Sequence, residues 1–134
     1  MTGREFDLVV AFETHDVEEI RRLLDDGVDA VAPIDGKSPI DCLTEMYFRS
    51  DRFPACLRLL LERGATVSDA AVLPVLLDDA DAIRADPSLG RHRTTMVSCF
   101  TGLVDATLLH VAAEYGHEAA TRALLDLGAD VNAT

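Results

Sequence analysis

The 134-residue sequence has no tryptophan, and aromatic residues make up only 5% of it. A core built on large aromatic rings is therefore excluded. Apolar residues nevertheless account for 49% of the chain, which is ample for a hydrophobic core. Few aromatics beside many leucines and alanines favour closely packed helices, because both residue types have high helix propensity.

Basic residues are also scarce. The chain has 12 of them against 24 acidic residues, a net charge of −12, and Lys37 is its single lysine. Nucleic-acid phosphates and anionic lipids bind basic surfaces, so this balance argues against a nucleic-acid or membrane partner. A protein partner with a basic surface would be attracted instead.

The cysteines are few and scattered. Cys42, Cys56 and Cys99 are odd in number, which favours a reducing compartment over a disulfide framework. Charged residues interrupt the N-terminal segment early, so no signal peptide is predicted. The longest apolar run, Ala70–Leu77, contains Pro74 and is far too short to span a membrane. We therefore expect a cytoplasmic protein.

Motifs that carry chemistry are missing. The sequence has neither G-x-x-x-x-G-K-[ST] nor G-x-G-x-x-G, and no spacing suggests a Cys–His or Ser–His–Asp arrangement. The aspartates of 78–81 lack the glycine and the terminal glutamate of a calcium loop. His110 and Glu114 share a helix face, but one helix supplies too few ligands for zinc. We predict no catalytic, metal-ligating or cofactor-binding residue, and no cofactor.

A repeated pattern is the most informative feature that is present. Its clearest copy reads TLLHVAAEYGH over Thr107–His117 and continues through LLDLGADVNA over 124–133. Subtracting 101 from these numbers finds the pattern again near the N-terminus, where Ala11, Leu23, Leu24, Gly27 and Asp29 take the places of Ala112, Leu124, Leu125, Gly128 and Asp130. Another copy runs from Ser38 to Gly64 with about five extra residues, and an eroded one lies between Ser68 and Leu89.

The opening T-x-L-H-x-A of the last copy resembles the ankyrin repeat, whose signature T-P-L-H-x-A begins a unit of about 33 residues. The resemblance implies one all-α domain, an ankyrin-repeat solenoid of about four helix-turn-helix units. The expected units are approximately 1–33, 34–67, 68–101 and 102–134, of which the third is degenerate and carries a long finger-like insertion. The expected helices are 7–14, 17–26, 38–48, 54–63, 69–77, 79–85, 108–115 and 118–127.

Most repeated residues have predicted structural roles. The hydroxyls of Ser38 and Thr107 cap helix starts, and the glycines that follow second helices supply left-handed turns. In the ankyrin family, the histidine at position 110 hydrogen-bonds backbone across the turn between units, and His117 is likewise structural. His15 departs from the repeat, which suggests a surface or turn role.

Residues 88–106 depart from the repeat. A basic cluster, Gly90–Arg93, precedes a strand-like segment, 94–102, that is rich in β-branched residues. Ankyrin units are joined by β-turn fingers, so this segment is interpreted as a lengthened finger that either contacts a partner or covers the third unit. Met46, Tyr47 and Phe48 similarly form either local core or an exposed apolar anchor.

The resemblance implies a non-enzymatic protein–protein interaction module that binds its partner through a concave face of first helices and through finger loops. The alternative is a regulatory or targeting domain of a larger catalytic protein. The residues expected to contact a partner are Glu13, Thr14, Lys37, Glu45, Met46, Arg91, His92, Arg93, Phe100, Glu114 and Tyr115.

The last repeat is expected to expose apolar residues. Terminal repeats usually have a polar outer face, whereas this one carries Ala119, Ala120 and Ala123. Three explanations remain open. Further repeats follow in a longer array, water tolerates the face, or two chains cover each other and the protein self-associates.

Overall fold

A computed structural model describes residues 2–46, 50–67, 69–97 and 102–129. These residues are mostly helical and form two compact units, one within residues 2–67 and one within residues 69–129. The described ranges contain eight α-helices, two short 3-10 turns (Ala70–Val72 and Pro87–Arg91) and a pair of β-strands. The helices and strands are α1 (Gly3–Thr14), α2 (Val17–Asp25), α3 (Pro39–Thr44), α4 (Phe53–Glu62), α5 (Leu73–Leu76), α6 (Ala80–Arg84), β1 (Arg93–Val97), β2 (Gly102–Thr107), α7 (Leu108–Tyr115) and α8 (Glu118–Asp126).

The first unit contains two helical hairpins, α1–α2 and α3–α4. The first helices pack on each other, α1 on α3, and so do the second helices, α2 on α4. Burying one large apolar side chain stabilises a fold by roughly 1.5–3 kcal/mol, so the core between these helices holds the two hairpins together. Its largest fully buried members are Leu8, Phe12, Ile20, Leu23, Ile40, Leu43, Phe53, Leu57 and Leu60.

The second unit repeats this order with α5–α6 and α7–α8. Its first helices, α5 and α7, pack on each other, and α6 packs on α8. The helices α5 and α6 have only four and five residues. The core of this unit uses smaller side chains than that of the first, and it includes Val75, Leu76, Ile83, Leu108, Val111, Ala112, Ala120, Ala123 and Leu124.

Three of the four second helices end in the same way, at a glycine. Gly27, Gly64 and Gly128 have φ angles of 99°, 94° and 88°, as predicted for left-handed turns. After α2, the N–H of Gly27 donates to Leu24 O (3.1 Å) and the N–H of the next residue donates to Leu23 O (3.0 Å). This pair of bonds is the Schellman motif, and it also follows α4 and α8. Helix α6 instead runs into the 3-10 turn at Pro87.

The turns from first to second helices share a backbone conformation although their residues differ. His15, Asp78 and Gly116 lie at these turns with φ angles of 50°, 54° and 65°. In each turn the following N–H donates to the carbonyl five residues earlier, at 2.9, 2.8 and 3.0 Å. The hairpins α1–α2, α5–α6 and α7–α8 therefore close through the same geometry.

The predicted helix caps are confirmed. Ser38 Oγ accepts the N–H of Asp41 at 3.3 Å, and Thr107 Oγ1 accepts the N–H of His110 at 3.3 Å. Helix α1 begins at Gly3, four residues earlier than predicted. Thr2 and Glu5 form a capping box there, in which each side chain accepts the backbone N–H of the other residue.

Two predicted helices are wrong in length. Helix α3 ends at Thr44 rather than at Phe48, and the Thr44 hydroxyl donates to Asp41 O within the last turn (3.2 Å). Tyr47 and Phe48 lie outside the described residues, so the two interpretations of that cluster stay predictions. Helix α5 begins at Leu73 rather than at Asp69, because the Pro74 ring would clash with the carbonyl four residues earlier.

The strand-like segment does form a strand. β1 pairs with β2 in an antiparallel hairpin, with Arg93 opposite Thr107 and Val97 opposite Gly102. A register shift between Thr94 and Met96 gives β2 one extra residue, which is a β-bulge. Because β2 ends at Thr107, the cap of α7, the hairpin leads directly into the last helical pair.

We expect Gly64→Ala to lower the free energy of unfolding by about 1–2 kcal/mol, because an alanine at a left-handed φ is strained. The added Cβ would have only Val31 Cγ2 near it, at 4.0 Å, so the loss is conformational rather than steric. Urea denaturation measures it. Gly3→Ala is the matched control, since Gly3 is a first-turn helical residue with open space around it. Equal stability of the Gly64→Ala variant and wild type would contradict this assignment.

Candidate protein-binding surface

Helix α1 presents two of the predicted contact residues, Glu13 and Thr14, to solvent. Its opposite side is buried and faces the core of the first unit. The Thr14 hydroxyl lies 3.5 Å from the carbonyl oxygens of Val10 and Ala11, so it remains close to its own helix. The Glu13 carboxylate is an exposed charge at the C-terminal end of this helix.

A tight turn positions Lys37 beside helix α3. Ile34 and Lys37 exchange two backbone hydrogen bonds (2.8 and 3.1 Å), and Asp35 and Gly36 between them have φ angles of 51° and 83°. Positive φ at both central residues is the type I′ arrangement, which Asp-Gly favours. The Lys37 ammonium lies 3.1 Å from Glu45 Oε1, which raises the pKa of Lys37. The structure thus brings together two residues that the sequence marked separately.

Glu45 and Met46 follow the end of α3 and are half-buried. The Glu45 side chain is 21% exposed, less than the 49% of Lys37, and its backbone N–H donates to Asp41 O at the end of α3. A cationic group of a partner would have to compete with Lys37 for this carboxylate.

In the second unit, the predicted contact residues of α7 are less accessible. Glu114 is half-buried, and Tyr115 is only 5% exposed. The Tyr115 ring lies beside the His117 imidazole, with ring centroids 5.9 Å apart. Tyr115 therefore offers little surface for a partner, because it packs into the core of its own unit.

In the basic cluster before β1, the His92 side chain is held by an aspartate. His92 Nε2 lies 2.8 Å from Asp69 Oδ2, and this contact lowers the pKa of Asp69. Asp69 also accepts the N–H of Ala71 through its other oxygen, so it joins the base of the hairpin to the 3-10 turn before α5. Arg91 and Arg93 on either side are exposed. Phe100, the remaining candidate of this segment, lies outside the described residues.

Two histidines of the last repeat have structural roles, as predicted. His110 Nδ1 accepts the backbone N–H of Thr107 at 3.2 Å, which completes a capping box within α7 rather than bridging two units. His117 Nε2 lies 2.8 Å from the carbonyl oxygen of Leu76 and joins α5 to the start of α8. Neither histidine presents a metal-binding arrangement.

The suggestion that His15 lies on the surface is wrong, although its role in a turn is confirmed. The side chain is fully buried, with Nδ1 2.6 Å from Ser50 Oγ and the ring centroid 5.6 Å from that of Phe53. Its left-handed conformation directs the ring toward the second hairpin of the same unit. Sequence spacing predicted the turn but not the contacts of His15 with Ser50 and Phe53.

Two polar contacts that matter for the turns were not predicted. The Arg52 guanidinium donates to the carbonyls of Thr14 (3.0 Å) and His15 (3.1 Å), where α1 ends. Asp78 Oδ1 accepts the N–H of Ala120 at 2.8 Å and thereby caps α8, whose own N-cap residue, His117, provides no cap. Asp78 corresponds in position to His15 and Gly116, and that correspondence is the signal that could have identified it.

The described residues provide no cluster of three or more histidine, cysteine, aspartate or glutamate side chains able to hold a metal ion. Burial raises the pKa of the Cys56 thiol to about 11 and also raises that of Cys42, so both thiols are poor nucleophiles. Over the same ranges, the helices are too short and too polar for any of them to cross a membrane.

Within each unit, first helix packs on first helix and second on second, and three of the four hairpins close through left-handed turns. The family model of the ankyrin repeat matches residues 105–134, so the segment that contains α7 and α8 is an ankyrin repeat. A comparison with curated proteins gives no match. Ankyrin repeats are generally protein–protein interaction modules.

We expect Asp69→Asn to lower the free energy of unfolding by about 1 kcal/mol or less near pH 6, because the pair with His92 is partly exposed. The folded state holds the pKa of Asp69 low. Its contribution is therefore complete above the unfolded pKa of about 4 and is lost as the pH falls through the lower folded value. Urea denaturation near pH 6 and near pH 3 measures this change.

Asparagine can still accept the N–H of Ala71, so the substitution removes mainly the charge. Asp51→Asn, at an exposed turn of the first unit, is the control. A difference between wild type and Asp69→Asn that stays constant over this pH range would contradict the proposed ion pair.

Proposed function

We propose that the protein is a non-enzymatic module that binds a protein partner through its first helices and the turns that join its hairpins. The exposed Glu13 carboxylate on α1 carries this proposal, because α1 places it on solvent at the position that Glu114 occupies in the ankyrin repeat. Glu45, at the end of the first helix α3, adds a further carboxylate to the same kind of surface.

We further propose that the chain is made of four ankyrin units, of which the third is degenerate. The shared turn geometry at His15, Asp78 and Gly116 supports this. Asp78 belongs to the segment in which the sequence motif is eroded, yet its φ of 54° and the bond between the N–H of Asp79 and Pro74 O match the other two turns. The β-hairpin is then the finger of that unit, lengthened into two strands.

The partner is best described as a protein with a basic surface. The chain carries a net charge of −12, and carboxylates on the first helices would attract lysine or arginine. Lys37 already contacts Glu45 at 3.1 Å, so a partner that reaches this site must offer a better-placed cation, such as an arginine able to form two hydrogen bonds. The exposed Arg91 and Arg93 would contact acidic groups of the partner.

A charge-reversal experiment tests the proposal. The triple variant Glu13→Lys, Glu45→Lys, Glu114→Lys and wild type are immobilised and incubated with native lysate, and retained proteins are identified by mass spectrometry. We expect at least one protein retained by wild type to be lost or about tenfold depleted on the variant, because close charge pairs contribute of order 1.5 kcal/mol or more. Circular dichroism checks that the variant is folded.

The matched control changes the charge equally on the second helices, with Glu18→Lys, Glu62→Lys and Glu118→Lys, which are all exposed. Retention of the same proteins by this control and by wild type, but not by the first-helix variant, supports the proposed surface. The same set of retained proteins on all three would overturn it.

A further inference from the structure

Two large apolar side chains are exposed on one face of α1. Phe6 is 55% exposed and Val10 is 41% exposed. They are four residues apart, so they lie on the same side of the helix, one turn from each other. This side is opposite to Leu8, Ala11 and Phe12, which face the core of the first unit.

The residues of α1 have counterparts 101 positions later, in α7 and just before it. Comparing the two helices shows which packing contact this face of α1 lacks. Val10 corresponds to Val111 of α7, which is fully buried, and Phe6 corresponds to Thr107, which is 8% exposed. Helix α7 packs on α5, which precedes it in the chain. Val10 therefore occupies a position that is buried in the second unit, where a preceding first helix packs on α7, and Phe6 extends the same exposed face by one turn.

The same comparison for α2 and α8 gives a consistent result. The buried Ala120 and Ala123 of α8 correspond to Glu19 and Arg22 of α2, which form an ion pair with each other. Ala120 and Ala123 thus do not belong to an open outer face, contrary to the expectation from the sequence, because α6 packs on α8. The Glu19–Arg22 ion pair, with the aliphatic part of the arginine side chain, therefore lies on the uncovered side of α2.

Helices α7 and α8 of the second unit show the opposite difference in exposure. Leu125 of α8 is 42% exposed, whereas the corresponding Leu24 of α2 is 4% exposed. On α7, Leu109 is half-buried and Ala113 is exposed, whereas the corresponding Leu8 and Phe12 are fully buried. The helices α1 and α2 have α3 and α4 packed on this side. Helices α7 and α8 therefore expose the side that, on α1 and α2, is buried against α3 and α4.

From these two faces we infer that the chain binds a second copy of itself head to tail. Helices α7 and α8 of one copy pack on α1 and α2 of the next, in the order that α1–α2 and α3–α4 show within the first unit. In this contact Leu125 of one copy packs on the aliphatic part of Arg22 of the next. Val10 and Phe6 of that next copy cover Leu109 and Ala113 of the first. The two faces differ from each other, so the contact is heterologous and leaves one free face at each end.

The charge of the chain sets the conditions under which this contact forms. Each copy carries −12, so copies repel each other at low ionic strength. Salt screens this repulsion over about 10 Å at 0.1 M and leaves the apolar contact intact. Self-association should therefore become stronger as the NaCl concentration rises.

Sedimentation velocity of the 134-residue chain, over a concentration series at low and high NaCl, tests the inference. Wild type should form a series of species that extends beyond the dimer and grows with salt. Val10→Glu and Leu125→Glu should each be monomeric, because either one places an unpaired carboxylate in the contact and weakens it by about tenfold or more. Ala55→Glu, at an exposed position of α4, is the matched control and should associate like wild type.

An equimolar mixture of the Val10→Glu and Leu125→Glu variants gives the sharpest result. Each variant keeps one intact face, so the mixture should form a dimer that does not grow further, which also shows that both variants are folded. A wild type that stays monomeric at every concentration and salt level would overturn the inference. So would a Val10→Glu variant that dimerises by itself, since that outcome means that two α8 faces pair with each other.

Discussion

Three of the four helical hairpins depend on one backbone feature, the left-handed residue that ends the first helix and reverses the chain. A helix end leaves its last carbonyls without partners inside the helix, and the Schellman pair of bonds satisfies them while it reverses the chain. Without that reversal α1 and α2 could not lie antiparallel, and neither unit would bring first helices onto first helices. The apolar core contributes more free energy, but the turns decide which apolar faces meet.

The sequence predicted the parts of the fold that depend on nearby residues. The caps at Ser38 and Thr107, the glycines after the second helices and most helix positions follow from spacing and from local hydrogen-bonding chemistry, and all are present. Some helix bounds were wrong for local reasons, such as Pro74 in α5, but the predictions of side-chain environment failed where a contact joins residues far apart in the chain. His15 is buried because Ser50 and Phe53 lie beside it, 35 and 38 residues later, and no local pattern reports that. The β-hairpin was recognised as strand-like, although its second strand, which runs into the cap of α7, was not.

The sequence also did not predict which residues of the candidate surface are exposed to solvent. Thr14 and Tyr115 are equivalent predicted contact residues at the end of a first helix, yet one is exposed and the other is buried beside His117. Their difference arises from what packs on each helix, which a repeat motif does not encode. Lys37 and Glu45 were marked separately as contact residues, and their ion pair means that part of the acidic surface is already neutralised by the chain itself.

The three turns at His15, Asp78 and Gly116 have one more consequence, for how such repeats diverge. Glycine, histidine and aspartate occupy the same left-handed conformation, and each non-glycine residue has a compensating polar contact, with Ser50 Oγ for His15 and with the N–H of Ala120 for Asp78. Mutation can then replace the residue at the turn while the hairpin keeps its shape, provided that a neighbour evolves to receive the new side chain. Such substitutions change the sequence motif more than the geometry, so a hairpin that lacks the motif can keep the same turn as one that has it.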